Sequence, residues 1–167
     1  MSRPRWFQNL FSMPVAALIP SDELPRIADA IAQAEHTHTG QICFAIERAL
    51  GMGNVLNGMT ARDRAAQLFA QLGVWNTARN NGVLLYILTS EHRIELIADR
   101  GYDEVVSPEQ WRGICALLED RLKQDNGVDA VVEAIGQISA LVAHEYPRDP
   151  NVVLDHPNEL PNTPFVL

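Results

Sequence analysis

The chain has 167 residues, 47% of them hydrophobic, with a formal net charge of −8 and a pI near 5.0. That is enough apolar sequence for one compact domain with its own core. The acidic balance excludes nucleic acid and an anionic membrane as main partners, because a field of that sign repels phosphate.

In chain order, residues 1–20 form an N-terminal extension with Trp6, Phe7, Leu10 and Phe11 at helical spacing beside Arg3 and Arg5. Such a stripe docks on the domain's own surface or touches a membrane weakly. It lacks the unbroken apolar core and small-residue cleavage site of a secretory signal, and Pro14 and Pro20 break the residues after the stripe. No apolar run approaches the ~20 residues of a membrane-spanning helix. The expectation is a cytoplasmic protein, with membrane association through the extension as its variant.

Ser21 or Asp22 is expected to cap the first helix, with Pro25 tolerated in its first turn. Leu24, Ile27, Ile31 and Ala34 make its core-facing stripe. His36 and His38 lie two apart and share no helical face, so they are not read as a zinc pair. Gln41 to Glu47 alternates as a strand, with Ile42, Phe44 and Ile46 on one face and the smaller Cys43 and Ala45 on the other. The glycine-rich stretch from Gly51 to Gly58 reads as a loop. It misses the dinucleotide fingerprint and has no Gly-Lys-Ser/Thr, so no nucleotide cofactor is expected. Thr60 and Asp63 resemble a capping box, opening a helix that buries Ala65, Leu68, Phe69 and Leu72 and stops at Gly73.

Val83 to Leu88 is a nearly unbroken apolar run, as a strand buried on both faces requires. Arg93 to Ala98 alternates, and the residues from Ser90 are few enough to close an antiparallel hairpin. A hairpin sets the start of its first strand beside the end of its second. Asn76, Asn80 and Asn81 lead in, Asp99, Arg100 and Gly101 lead out, and amide and carboxylate oxygens meet at one sheet edge.

Ser107-Pro108-Glu109-Gln110 is a strong helix start, with Trp111, Ile114, Cys115, Leu118 and Leu122 after it pointing inward. Cys115 and Arg121 match a phosphatase spacing, but the residues between them are helical and cannot wrap a phosphate. Val128 to about Tyr146 is a last helix with a broad apolar face, and the proline-rich tail beyond it is read as extended, laid across the domain through Phe165-Val166-Leu167. Cys43 and Cys115 are read as free buried thiols, which suits a reducing compartment. The order helix, strand, helix, strand, strand, helix, helix defines a three-layer α/β/α sandwich with a small mixed sheet containing an antiparallel hairpin. Residues 21–147 form the α/β domain, residues 1–20 its extension and residues 148–167 its tail.

Val74-Trp75-Asn76-Thr77, Asn80-Asn81-Gly82-Val83-Leu84-Leu85-Tyr86 and Ile97-Ala98-Asp99-Arg100-Gly101 resemble the TPM domain family, over about residues 22–146. Asn158-Glu159-Leu160-Pro161 is similar to its soluble bacterial branch. The family includes a plant thylakoid-lumen acid phosphatase, and some members bind calcium at the sheet edge. The resemblance implies a site for calcium or another divalent cation at Asn76, Asn80, Asn81, Asp99 and Asp103, with Glu104 as a helper, and Arg79 and Arg100 as substrate-binding groups. Asn76 stands where relatives often carry Asp, and Ala78 and Arg79 where acidic or His residues are common, which lowers the charge offered to a hard cation. The resemblance implies one of two functions. One is a non-catalytic or weakly metal-binding module that recruits a protein partner, such as a membrane protein. The other is a divalent-metal-assisted phosphomonoester hydrolase, for which no nucleophile or general acid is evident. Read on the residues alone, Asn80-Asn81-Gly82 also suits a side-chain-bonded turn, and Asp99 a cap on backbone amides.

Overall fold

All seven residues of β2 (Gly82–Leu88) are buried. Only a strand with neighbours on both edges and helices on both faces hides every side chain. The computed structural model describes residues 14–124, 127–151 and 158–167. In it β1 (Gln41–Glu47) runs parallel to β2, and β3 (Arg93–Ala98) runs antiparallel to it. A short β4 (Phe165–Val166) lies parallel to β1, giving the strand order β3-β2-β1-β4. The hairpin expected from the contrast of a solid apolar run with an alternating one is present, with Val83 opposite Ala98 and Leu88 opposite Arg93.

Alternation along the strands divides the core in two. Ile42, Phe44, Ile46, Val83, Leu85, Ile87 and Leu96 pack on α1 (Val15–Leu18), α2 (Leu24–Ala34), α5 (Pro108–Leu122) and α6 (Gly127–Glu145). Cys43, Ala45, Leu84, Tyr86 and Leu88 face α4 (Ala61–Gln71). This is the three-layer α/β/α sandwich with a mixed sheet. Capping boxes at Thr60/Asp63 and Ser107/Gln110 start α4 and α5 where the sequence places them.

Local readings fail at three places. Ser21 and Asp22 cap no helix: Ser21–Glu23 is a 3-10 turn, and α2 starts at Leu24 without a side-chain cap. Pro25 needs no N–H partner there, which lightens the loss. The glycine-rich stretch is not an open loop, because Met52–Leu56 winds into a short helix, α3, and Gly58 takes the left-handed turn after it. Cys115 is only half-buried and lines a groove, although burial still pushes its thiol up to about 11, and that of Cys43 to about 12. The tail is more than an extended cover, since it adds a strand to the sheet. The stripe at Trp6, Phe7, Leu10 and Phe11 lies outside the described residues.

Buried polar side chains hold that tail. Gln41 Oε1 accepts the N–H groups of Glu159 and Leu160 at 3.0 and 3.1 Å, and Leu167 N–H reaches Ile46 O at 2.9 Å. Glu35 accepts Ile42 N–H at 3.0 Å and a hydrogen bond from the Asn162 side chain, and burial pushes its carboxyl up to about 7. His38 is fully buried, which lowers it to about 4, with the charge of Arg148 acting in the same direction.

Folded Glu35 keeps a proton that the unfolded chain releases from about 4.5 upward, so its contribution to stability is lost as pH rises to about 7. His38 has the opposite slope between about 4 and 6.5, because there the unfolded chain binds the proton first. The two slopes oppose each other up to 6.5, and the glutamate acts alone above it. Glu35→Gln keeps an acceptor for Ile42 N–H and cannot ionise. Its melting temperature relative to the parent is expected to climb between about pH 5 and about pH 8; a flat difference would mean that Glu35 ionises as a solvated carboxyl.

Candidate functional site

The start of β2 and the end of β3 are joined by Asp99 N–H donating to Gly82 O at 2.9 Å. Just outside that bond lie Asn81 on one strand and Arg100 on the other. Asn81 is fully buried, and most of its polar groups hold separate parts of the chain. Its N–H donates to Thr77 Oγ1 at 3.0 Å and its Nδ2 to Thr39 O at 3.2 Å. Its carbonyl accepts Gln41 N–H at 3.2 Å and Tyr102 Oη–H at 2.9 Å. Tyr102 is itself clamped edge-on by Trp111 and Tyr146, with ring centroids 5.5 and 5.1 Å away, and burial raises its hydroxyl far above the usual range.

Asn80 has a φ of 53°, a left-handed conformation that asparagine tolerates better than most residues. Its carbonyl accepts Gly101 N–H at 2.9 Å. Asp99 Oδ1 accepts Arg100 N–H at 2.8 Å and so caps the 3-10 turn Arg100–Tyr102. Gly101 is required here. A Cβ would lie 2.4 Å from Asn80 O and 2.6 Å from the Tyr146 hydroxyl, which donates to Gly101 O.

The structure therefore brings Asn80, Asn81, Asp99 and Arg100 together. Arg79 joins them through Thr39, whose Oγ1 it approaches at 3.3 Å. Asn76 is exposed, and its N–H turns back to Gly73 O at 2.8 Å. Asp103 is exposed at the end of the 3-10 turn, and Glu104 after it is exposed too. Two oxygens of the expected set, Asn81 Oδ1 and Asp99 Oδ2, are buried without a hydrogen-bond partner. Asn80 Oδ1 instead faces a cation, accepting from Arg100 Nη2 at 2.9 Å.

Calcium takes about six to eight oxygens, several of them carboxylate. Among Asn80, Asn81, Asp99 and Arg100, which the structure brings together, one carboxylate offers one unengaged oxygen and a guanidinium occupies the neighbouring amide, while the carboxylates of Asp103 and Glu104 are exposed. Among the described residues no group of three or more His, Cys, Asp or Glu is placed to hold a metal ion. This donor set does not fit a closed calcium cage.

Several residues at the edge escape sequence reasoning. Glu159 reaches across from the tail, and its Oε2 accepts Ala78 N–H at 2.8 Å. Thr39, Thr77, Tyr102 and Tyr146 brace the loops. Glu159 enters the sequence reading only through its part in the resemblance, with no site role, because its partner is 81 residues away. Trp75 has no site role in the sequence beyond its part in the resemblance, yet it stands 55% exposed with Nε1 donating to Ala70 O at 3.2 Å.

Fold and edge together define a three-layer α/β domain that presents braced loops at one end of its sheet. The model of the TPM domain matches residues 14–141, and the chain belongs to that family. Among solved structures it is similar to the NMR structure of the BA42 protein from the psychrophilic bacterium Bizionia argentinensis, with 27% identity and a TM-score of 0.72 over 88% of this chain and 94% of that one. No curated protein matches the chain.

With the edge braced in this way, Gly101→Ala forces backbone carbonyls apart and is expected to cost about 2 kcal/mol or more in urea unfolding. Gly136→Ala, where a Cβ on α6 meets nothing, should instead stabilise by about 0.5–1 kcal/mol. Equal effects of the two substitutions would contradict the close approach at Gly101.

Proposed function

We propose that this TPM domain is a binding module without hydrolytic activity of its own, which recruits a protein partner through the loop edge. The observation that carries this reading is where the polar atoms of the edge are engaged. Asn80, Asn81, Asp99, Thr77 and Tyr102 hold the loops to one another. The Thr77 hydroxyl accepts Asn81 N–H and that of Thr39 faces a guanidinium, so neither has a base beside it to make a nucleophile. Trp75, Arg79 and Arg100 remain exposed on this rigid support, and Trp and Arg are residue types that dominate protein interfaces.

A partner in a membrane is compatible with the reading, since among the described residues no helix is long and apolar enough to cross one. The free thiols of Cys43 and Cys115 suit the cytoplasm as its compartment.

One observation favours the second reading, a divalent-metal-assisted phosphomonoesterase. Asp99 Oδ2 and Asn81 Oδ1 are buried without partners, and Arg100, with Arg79 nearby, supplies positive charge to steady a phosphate. Incubation with para-nitrophenyl phosphate and calcium, magnesium or manganese separates the two. The binding module is expected to release nitrophenol no faster than buffer. Metal-dependent turnover that Asp99→Asn abolishes and Gly136→Ala leaves intact would establish the hydrolase instead.

A further inference from the structure

Among the described residues, β4 pairs with part of the outer edge of β1, whereas no strand lies beside β3 at the opposite edge of the sheet. The bond from Asp99 N–H to Gly82 O sets the alternation along β3. Residues 93, 95 and 97 bond to β2, while Ile94, Leu96 and Ala98 turn their N–H and C=O groups outward. These groups lie in a groove of about 800 Å³ between β3, α4 and α5. One wall carries Ile94, Leu96 and Val106 beside Trp111 of α5, and Asp103, Arg112 and Glu119 also line the groove. The other carries Arg62 of α4 and Arg93, which share a single carboxylate: Glu95 lies 3.4 Å from one and 3.2 Å from the other. Arg112 pairs with Glu109 and Glu119 with Lys123, so Arg62 and Arg93, with one carboxylate between them, form the cationic part of the groove. Arg62 also covers the edge, with its Nη1 donating to Leu96 O at 2.6 Å.

We propose that this groove takes an extended segment of a protein partner as a fifth strand beside β3, with apolar and acidic residues at alternate positions. Strand neighbours in register share a face. Residues opposite Ile94, Leu96 and Ala98 therefore meet the apolar wall, and residues opposite Arg93 and Glu95 meet the arginines. A carboxylate there matches the second guanidinium that Glu95 alone cannot neutralise. As the segment pairs, its own N–H replaces Arg62 on Leu96 O, and the released arginine turns to the incoming carboxylate. Backbone pairing supplies affinity in such additions, and alternate side chains supply selectivity. The surface adjoins the loop edge at Tyr102 and Asp103 but does not rest on the reading given for that edge.

The test is a titration of the full, 15N-labelled chain with a blocked peptide of alternating valine and glutamate, beside one in which lysine replaces glutamate. The largest shifts are expected at the amides of Ile94, Leu96 and Ala98, and the acidic peptide should bind about tenfold more tightly at low salt. Ala98→Pro removes one outward N–H without touching a bond to β2, as an edge strand allows, and should abolish the response. Arg62→Glu should reverse the preference between the two peptides, which gives a readout should the proline variant fold poorly. No response to the acidic peptide, equal binding of both, or binding that survives both substitutions would overturn the proposal. Shifts along β3 that track protein concentration and not peptide would overturn it in favour of a second copy of this chain.

Discussion

The arrangement depends on one buried residue that cannot reach water. Asn81 is fully buried at the point where the chain turns into β2, so its backbone groups and its side-chain NH2 must find partners inside the protein. It finds them on three segments: Thr77 before it in the same loop, Thr39 and Gln41 at the start of β1, and Tyr102 in the turn after β3. A buried amide left unpaired costs about 1–3 kcal/mol, so each contact restricts where its segment can lie. The loops that form the candidate site are fixed by the same bonds that align the sheet.

That economy of polar atoms limits the chemistry of the edge. Of the side-chain oxygens at the edge, Asp99 Oδ1 holds the Arg100 amide and Asn80 Oδ1 the Arg100 guanidinium, while Asn81 Oδ1 and Asp99 Oδ2 are buried without partners. The edge presents outward an aromatic ring and two arginines on a rigid base. Under the proposed reading such a surface serves recognition, whereas hydrolysis would need an activated nucleophile or water.

Much of the fold is legible in the sequence because its signals are local. The unbroken apolar run from Val83 to Leu88 and the alternation from Arg93 to Ala98 set the hairpin register, since a slip of one residue would turn Ile94 and Leu96 to the wrong face. Ser107-Pro108 and Thr60/Asp63 mark helix starts through bonds that span three residues. Where local signals run out, partners are distant. Phe165 and Val166 become a strand only because β1 leaves them an edge to pair with, and nothing near them requires it. Glu159 reaches Ala78 across 81 residues for the same reason. The resemblance to TPM domains names asparagines and arginines that the fold brings close together, but it does not reveal their bonding. Asn80 and Arg100 could each be named from sequence, while their mutual hydrogen bond required the loop geometry.

The central claim is that the edge is held by the chain's own hydrogen bonds and does not cage an ion. It is tested most directly by titrating calcium into the 15N-labelled protein and monitoring Asn81, Asp99 and Arg100. The account predicts small, continuous shifts that remain unsaturated at roughly millimolar calcium, as one available carboxylate oxygen allows. Saturation at about one equivalent, with separate signals for a bound state at Asn81 and Asp99, would contradict it and restore the edge as a true cation site.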